Sequence, residues 1–202
     1  DVLNRGQIPY DIVSTEDLDD SAADRYDVLV LPHAPALQTE AVGVIGALTK
    51  RGLGLVAGGT PEPLADLLGI QSCDGPHPSL VSEHAGPCQA YGRLTDPGHP
   101  LLEGIEAELM ALAGPWWMVR ASDDAHVPLV RAAAFRVFPE GRSYPDEPDP
   151  GEPLAVVRQP AGQGRQVAFP FLIGRCAERT GHPDPGQIIT NAVRWAARSP
   201  VP

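Results

Sequence analysis

The sequence predicts an α/β protein built on a doubly wound, mainly parallel sheet, with an irregular Pro/Gly-rich insertion at about residues 70–150. Three observations carry that reading. The runs YDVLVLP (Tyr26 to Pro32) and LGLVAG (Leu53 to Gly58) are continuous and apolar, as strands buried on both faces are. Between them, residues 38–51 set Ala41, Val44, Ile45 and Leu48 at the i, i+3, i+4, i+7 spacing of an amphipathic helix. Strand, helix and strand joined by short connectors is the grammar of parallel strands with right-handed crossovers.

The elements follow in chain order. Residues 8–14 (IPYDIVS) read as a short strand, and an N-cap-like Thr15 then opens a polar connection. Gly52 stands where the C-cap of the 38–51 helix belongs, and Pro61 opens a further helix through Leu68. Residues 70–150 break the rhythm with many prolines and only short apolar runs. The stretch EPLAVVRQPAGQGRQVAFPF, residues 152–171, gives two strands about a Gly-rich turn, a hairpin. A last helix from about Pro185 to Arg198 should bury Ile188, Ile189, Ala192, Val193 and Trp195. Doubly wound domains begin with a strand at the sheet centre, whereas DVLNRGQIPYDIV reads as the tail of a helix entering a second strand. The expectation is a chain cut from a longer parent, or a first strand that lies elsewhere.

Bulk properties narrow the functional classes. At 202 residues the chain is long enough for one domain, residues 1–202, with a sizeable core. A formal net charge of −11 argues against nucleic acid and anionic membrane surfaces as partners. No apolar run of about 18 residues and no signal peptide is present, and with the acidic balance this predicts a cytoplasmic protein. The three cysteines, Cys73, Cys88 and Cys176, are odd in number and lack CxxC spacing. They predict a reducing compartment rather than a disulfide framework, a Cys73–Cys88 bridge being the one alternative.

GLGLVAGGTP, residues 52–61, is the strand-to-helix turn where α/β enzymes place a nucleophile or a phosphate loop. No lysine follows Gly58-Gly59 as a phosphate loop requires, and Ala57-Gly58-Gly59 offers no Ser or Cys for a nucleophile elbow. Thr60 before Pro61 reads as an N-cap. The candidate ligand-binding residues are His33, Gly58, Gly59 and Thr60, because the carboxyl ends of parallel strands are where such sheets bind ligands. For His33 a backbone-capping role is the competing reading. Trp116 and Trp117 are consecutive, so on a strand one ring faces in and the other out. An exposed indole would serve an interface or stack on a sugar. The six histidines show neither HxH nor HExxH spacing, so no metal site and no cofactor is expected. The acidic run in SYPDEPDPGEP, residues 143–153, reads as a solvated loop, and a Glu83/Glu178 pair for glycoside hydrolysis is a remote option.

The stretches IPYDIV, YDVLVLPHAPALQTEAVGVIGALTKRGLGLVAGG and, at the C-terminal end, GQGRQVAFPFLIG and TGHPDPGQIITNAVRWA resemble the class I glutamine amidotransferase-like domain, a flavodoxin-like fold. More narrowly they are similar to the trimerisation-type domain of β-galactosidase-like glycoside hydrolases. HPLLEGI (His99 to Ile105) is also similar to ThuA-like proteins. The resemblance covers roughly residues 7–70 and 153–198. Active members carry Cys at the elbow and a His and a Glu two apart at the end of a late strand. The corresponding positions here are Ala57-Gly58, Pro170 and Leu172, which implies a retained fold with its chemistry lost. The resemblance thus implies a non-catalytic domain of a sugar-processing enzyme, serving oligomer assembly or the active-site rim. Its partners would be further copies of itself (a trimer by analogy), the parent catalytic domain, or a carbohydrate. A stand-alone small-molecule or carbohydrate-binding module, or a hydrolase of the ThuA-like or amidotransferase-like kind, is the alternative.

Overall fold

In the computed structural model, residues 2–33, 37–59, 62–76, 90–113, 116–137, 143–145 and 151–197 are described. Val28–Leu31 (β1) and Gly54–Gly58 (β2) pair in parallel, joined by the crossover helix Thr39–Lys50 (α3). Gly52, at φ 93°, closes α3 as expected, since a left-handed residue after a helix is easiest for glycine. Two short helices, Val2–Arg5 (α1) and Ala22–Arg25 (α2), precede β1.

The segment expected to be an irregular insertion supplies much of the sheet. It contains Ile70–Pro76 (β3), Ala90–Leu94 (β4), Leu109–Leu112 (β5), Trp117–Ala121 (β6), His126–Val137 (β7) and Ser143–Pro145 (β8). Pro153–Arg158 (β9) and Gln166–Phe169 (β10) form the expected antiparallel hairpin. Two helices close the described chain, Ile173–Thr180 (α4) and Pro183–Ala196 (α5). The main sheet runs β1-β2-β10-β9-β7-β4-β5, with β8 paired onto β7, while β3 and β6 make a separate ribbon. β10 pairs with β2 in parallel, and from β10 outward the ladder continues through antiparallel pairs.

Helices cover both faces, as a doubly wound α/β fold requires. Val56, Val167 and Phe169 pack into one cluster with Ile188, Ala192, Val193 and Ala196 of α5. Leu55, Ala57 and Ala168 pack into another with Ile45 of α3, Leu64 and Leu68. The alternation along β2 and β10 is the two-residue period of a strand between two apolar layers. Close backbone approaches depend on glycine. Gly164 donates its N–H to the Thr49 carbonyl at 2.8 Å, and Gly54 donates to the Asp27 carbonyl at 2.9 Å. A Cβ at Gly164 would land on the Leu53 carbonyl, and one at Gly54 on the Ala196 carbonyl.

Two charged side chains are buried among the described residues, Arg131 and Asp184. Arg131 of β7 is fully buried, and its Nε donates to Glu152 Oε2 at 2.8 Å. Its guanidinium also stacks on the ring of Trp116, 5.3 Å from the centroid.

Four local expectations change. Residues 8–14 form no strand: Ile8 is buried, but Tyr10, Ile12 and Val13 are exposed, Ile12 at 92%. Apolar composition makes a strand only where a ladder partner exists. β1 is half-buried at every position instead of buried on both faces, because among the described residues it has a ladder partner, β2, on one side only. The helix expected to run to Leu68 is, over the described residues, a 3-10 turn at Glu62–Leu64 followed by turns to Gly69, at φ 71°. α5 begins at Pro183, two positions before Pro185, because His182 caps it through Nδ1, which accepts from the Asp184 N–H.

Candidate functional site

The strand ends gather most of the residues singled out in the sequence. β2 delivers Gly58 and then Gly59, which turns left-handed at φ 83°. The Gly59 N–H donates to the carbonyls of both Phe169 and Phe171, each at 3.0 Å, which ties the turn to the end of β10. His33 follows β1 two residues after Leu31 and is exposed. Its ring meets that of Trp117 edge-on, with centroids 6.3 Å apart and planes at 61°. Trp117 is held from behind, its backbone N–H donating to the Pro170 carbonyl at 2.7 Å.

The turn is crowded. A Cβ at Gly59 would come within 2.9 Å of Leu172 Cδ2 and 3.3 Å of His33 Cδ2, and one at Gly58 within 3.0 Å of the Pro32 carbonyl oxygen. His33, Gly58, Gly59, Trp117 and Leu172 are therefore one neighbourhood. The left-handed turn residue is Gly59, one position beyond the Ala57-Gly58 elbow that the resemblance implied. Thr60 lies outside the described residues.

The tryptophan pair divides as a strand demands, with one correction. Trp116 is a core residue at 1% exposure, its ring packed against the Arg131 guanidinium, so it offers no surface for sugar or partner. Trp117 is half-buried and keeps a ring edge beside His33. Cys176 is buried on α4, its Sγ accepting from the Ala113 N–H at 3.4 Å, and Cys88 falls outside the described residues. Among the described residues, no group of three or more His, Cys, Asp or Glu is placed to hold a metal ion. Among the same residues, no helix is long and apolar enough to cross a membrane.

HPLLEGI builds a second cluster that the sequence only hinted at. His99 caps the short 3-10 turn Pro100–Leu102, its Nδ1 accepting from the Leu101 N–H at 3.1 Å. Its ring lies 5.6 Å from that of His126 and 5.4 Å from that of Trp195. His126 pairs with Asp96 through Nε2 and Oδ2 at 3.0 Å. Asn191 of α5 donates to the carbonyls of Leu101 (3.2 Å) and Glu103 (2.8 Å), which locks α5 onto this turn. Burial first, then the neighbouring His126, pushes the His99 pKa below its usual 6.5, against a smaller upward pull from Asp96. The folded state therefore favours neutral His99. The associated stability is complete above pH 6.5 and falls as acid protonates His99 more readily in the unfolded chain. Urea midpoints should drop between about pH 7.5 and about pH 5.5, and a His99→Gln variant should show a shallower drop. Equal slopes in the two proteins would remove His99 from this role.

No protein-family model matches the sequence, and no curated protein matches it significantly. Solved structures do match in fold. A cytoplasmic protein from Salmonella typhimurium superposes with a TM-score of 0.69 at 18% identity, over 98% of this chain and 85% of that one. An α-L-fucosidase isoenzyme from Paenibacillus thiaminolyticus gives 0.70 at 20% identity, over 96% of this chain and 28% of that one. A ThuA-like protein from Bacteroides uniformis gives 0.62 at 12% identity, over 92% and 75%. A GMP synthase component from Thermoplasma acidophilum gives 0.57 at 14% identity, over 95% and 83%. The chain has the class I glutamine amidotransferase-like fold. A β-galactosidase from G. stearothermophilus contains the same fold, at a TM-score of 0.55 and 15% identity, over 84% of this chain and 22% of the enzyme. The amidotransferase-like domain thus spans less than a third of the fucosidase and of the β-galactosidase, and most of the Salmonella and ThuA-like chains. In its own strand-end turn, Gly59 stands at the left-handed position and Leu172 packs against it.

Proposed function

We propose that this amidotransferase-like domain is non-catalytic and serves a sugar-processing enzyme, either in oligomer assembly or at the rim of the catalytic domain's active site. The observation that carries the reading is the turn after β2. Acyl-transfer chemistry of this kind needs a thiolate or hydroxylate poised there with a base in reach. The turn instead holds Gly58 and Gly59, with Leu172 Cδ2 and the His33 ring in the space where a side chain on Gly59 would stand. The small share of the fucosidase (28%) and the β-galactosidase (22%) that the fold occupies supports a part within a larger enzyme.

A second reading, a stand-alone module that binds a small molecule or carbohydrate, is favoured by one observation. The half-buried Trp117 and exposed His33 meet at the strand ends, where open α/β sheets bind ligands and where an aromatic edge can pack on a sugar face. The natural gene product decides between them. Its mass and oligomeric state in solution are measured first, then its activity on aryl glycosides, with the isolated domain as control. An oligomer that cleaves aryl glycosides, beside an inert domain, is the expected result. A monomer of about this chain's mass with no glycosidase activity removes the assembly role and leaves the strand-end contact of His33 and Trp117 as the site to test. Glutamine hydrolysis by the isolated domain would overturn both readings.

A further inference from the structure

The turn that HPLLEGI builds encloses an open hollow of 480 Å³, inside the span of roughly 300–1,000 Å³ found for small-molecule sites. Every lining residue lies between Pro97 and Ile105, so the hollow belongs to this one turn. A turn makes a receptor only if it stays in place, and this one is held. His99 caps it from within. From α5, the Asn191 carboxamide donates to the Leu101 and Glu103 carbonyls, and Gln187 Nε2 donates in turn to Asn191 Oδ1 at 2.8 Å. A site ordered before its ligand arrives avoids the entropy cost of ordering on binding.

The groups on the wall are few and of distinct kinds. His99 Nδ1 is taken by the Leu101 N–H, so in the neutral ring the proton sits on Nε2 and that edge is a donor. Burial, and then the neighbouring His126, favours the neutral ring. The Gly98 and Gly104 N–H groups have no hydrogen-bond partner among the described residues, and the space around the Gly104 Cβ position is open. Opposite these donors stands one side-chain carboxylate, the exposed Glu103. Pro97 and Pro100, also exposed, add apolar ring surface.

That combination excludes most ligand classes. Among the described residues the lining holds no Lys or Arg, and the chain's net charge is −11. A phosphate or carboxylate would therefore meet Glu103 with no cation to offset the repulsion. A metal ion would find a single carboxylate and an imidazole whose outward nitrogen is protonated. A wholly apolar ligand would cover the Glu103 charge and the N–H groups without pairing them. A neutral polyol with donors, acceptors and a C–H face satisfies every group on the wall.

We propose that the hollow beside His99 and Glu103 is a carbohydrate-binding subsite that takes a single neutral pyranose. Glu103 accepts from its hydroxyls, the His99 Nε2–H donates to another, and the Pro97 and Pro100 rings carry its C–H face. The inference rests on neither reading above, because the two places are at different ends of the strands. The His99 ring packs on Trp195, whose carbonyl accepts from Arg165, one residue before β10 begins. His33 instead stands by Gly59, just past the end of β2.

The test titrates isotopically labelled protein with the methyl glycosides of glucose, galactose and mannose, and with methyl glucuronide and inorganic phosphate as anionic comparators. At least one neutral glycoside should shift the amide resonances of Gly98, His99, Glu103 and Gly104 and the indole resonance of Trp195. The two anions should bind at least roughly tenfold more weakly. Glu103→Gln alters an exposed side chain and keeps the carbonyl that Asn191 holds. Its thermal midpoint should match the parent protein's, while its affinity for the preferred glycoside falls about tenfold. Shifts centred on His33 and Trp117 would support the second reading above and overturn this one. Phosphate binding as tight as the glycosides, an unchanged affinity in Glu103→Gln, or no shift with any neutral glycoside would each overturn it too, leaving the assembly role untouched.

Discussion

Gly164→Ala should leave the domain unable to hold its native state. A methyl group at this position would occupy the space of the Leu53 carbonyl carbon and oxygen. Those are backbone atoms anchored between α3 and β2, so no side chain can swing aside to relieve the clash. Moving the turn outward would break the 2.8 Å bond from Gly164 N–H to Thr49 O and pull β10 out of register beside β2. Losses above about 4 kcal/mol arise from just such unrelievable clashes, and total stabilities are only about 5–15 kcal/mol. The neighbouring Gly162→Ala is the control. Gly162 sits at φ 71° with open space around its Cβ position, so only the left-handed backbone penalty of roughly 1–2 kcal/mol applies. Soluble yield and urea midpoint measure both variants. A Gly164→Ala protein as stable as Gly162→Ala would mean that the turn does not pack on Leu53.

Glu152→Gln is expected to cost about 2–4 kcal/mol, short of complete unfolding. The Arg131 side chain is 0% exposed and that of Glu152 23%, so the charge lost faces solvent while the charge left behind is interior. Gln keeps the shape and one acceptor, but the guanidinium loses the Glu152 charge held at 2.8 Å while it keeps its stacking on the Trp116 ring. Replacing both partners, Arg131→Met with Glu152→Leu, should recover much of the loss, because removing both charges also removes the desolvation cost. A double-mutant cycle in urea reads the coupling directly. If Glu152→Gln and the double variant fall equally, the ion pair is not the source of the loss.

Where periodicity and burial agree, the fold is legible in the residues. YDVLVLP, the 38–51 helix, LGLVAG, the β9–β10 hairpin and the last helix are each long or apolar enough to declare themselves. β4 to β7 are not: AYGRL and WMVRA mix charge and apolar residues because their partners lie far away in sequence. α4, IGRCAERT, has too few apolar residues to mark a helix unless one knows that Ile173 and Cys176 are buried. At the site, the sequence could point to His33 and the glycine pair from their place after buried strands. It could not reveal that Leu172 and His33 meet over Gly59 or that Trp117 meets the His33 ring, because they arrive from three separate parts of the chain. IPYDIVS misled for the opposite reason: its composition suits a strand, but pairing belongs to the sheet and not to the segment.

The position of β10 between β2 and β9 has a consequence for how the protein is made. The parallel heart of the sheet joins Leu55–Gly58 to Gln166–Phe169, so a ribosome must add more than a hundred residues after β2 before its inner neighbour exists. Until then Leu55 and Val56 have a paired strand on one side only, and the apolar face of α3 has half a sheet to rest on. Long-range closure of this kind is slow relative to local pairing, and incomplete sheets expose sticky strand edges. The nascent chain is thus obliged to wait for its own C-terminal third, and chaperone dependence during synthesis, rather than fragility once folded, is the cost of that strand order.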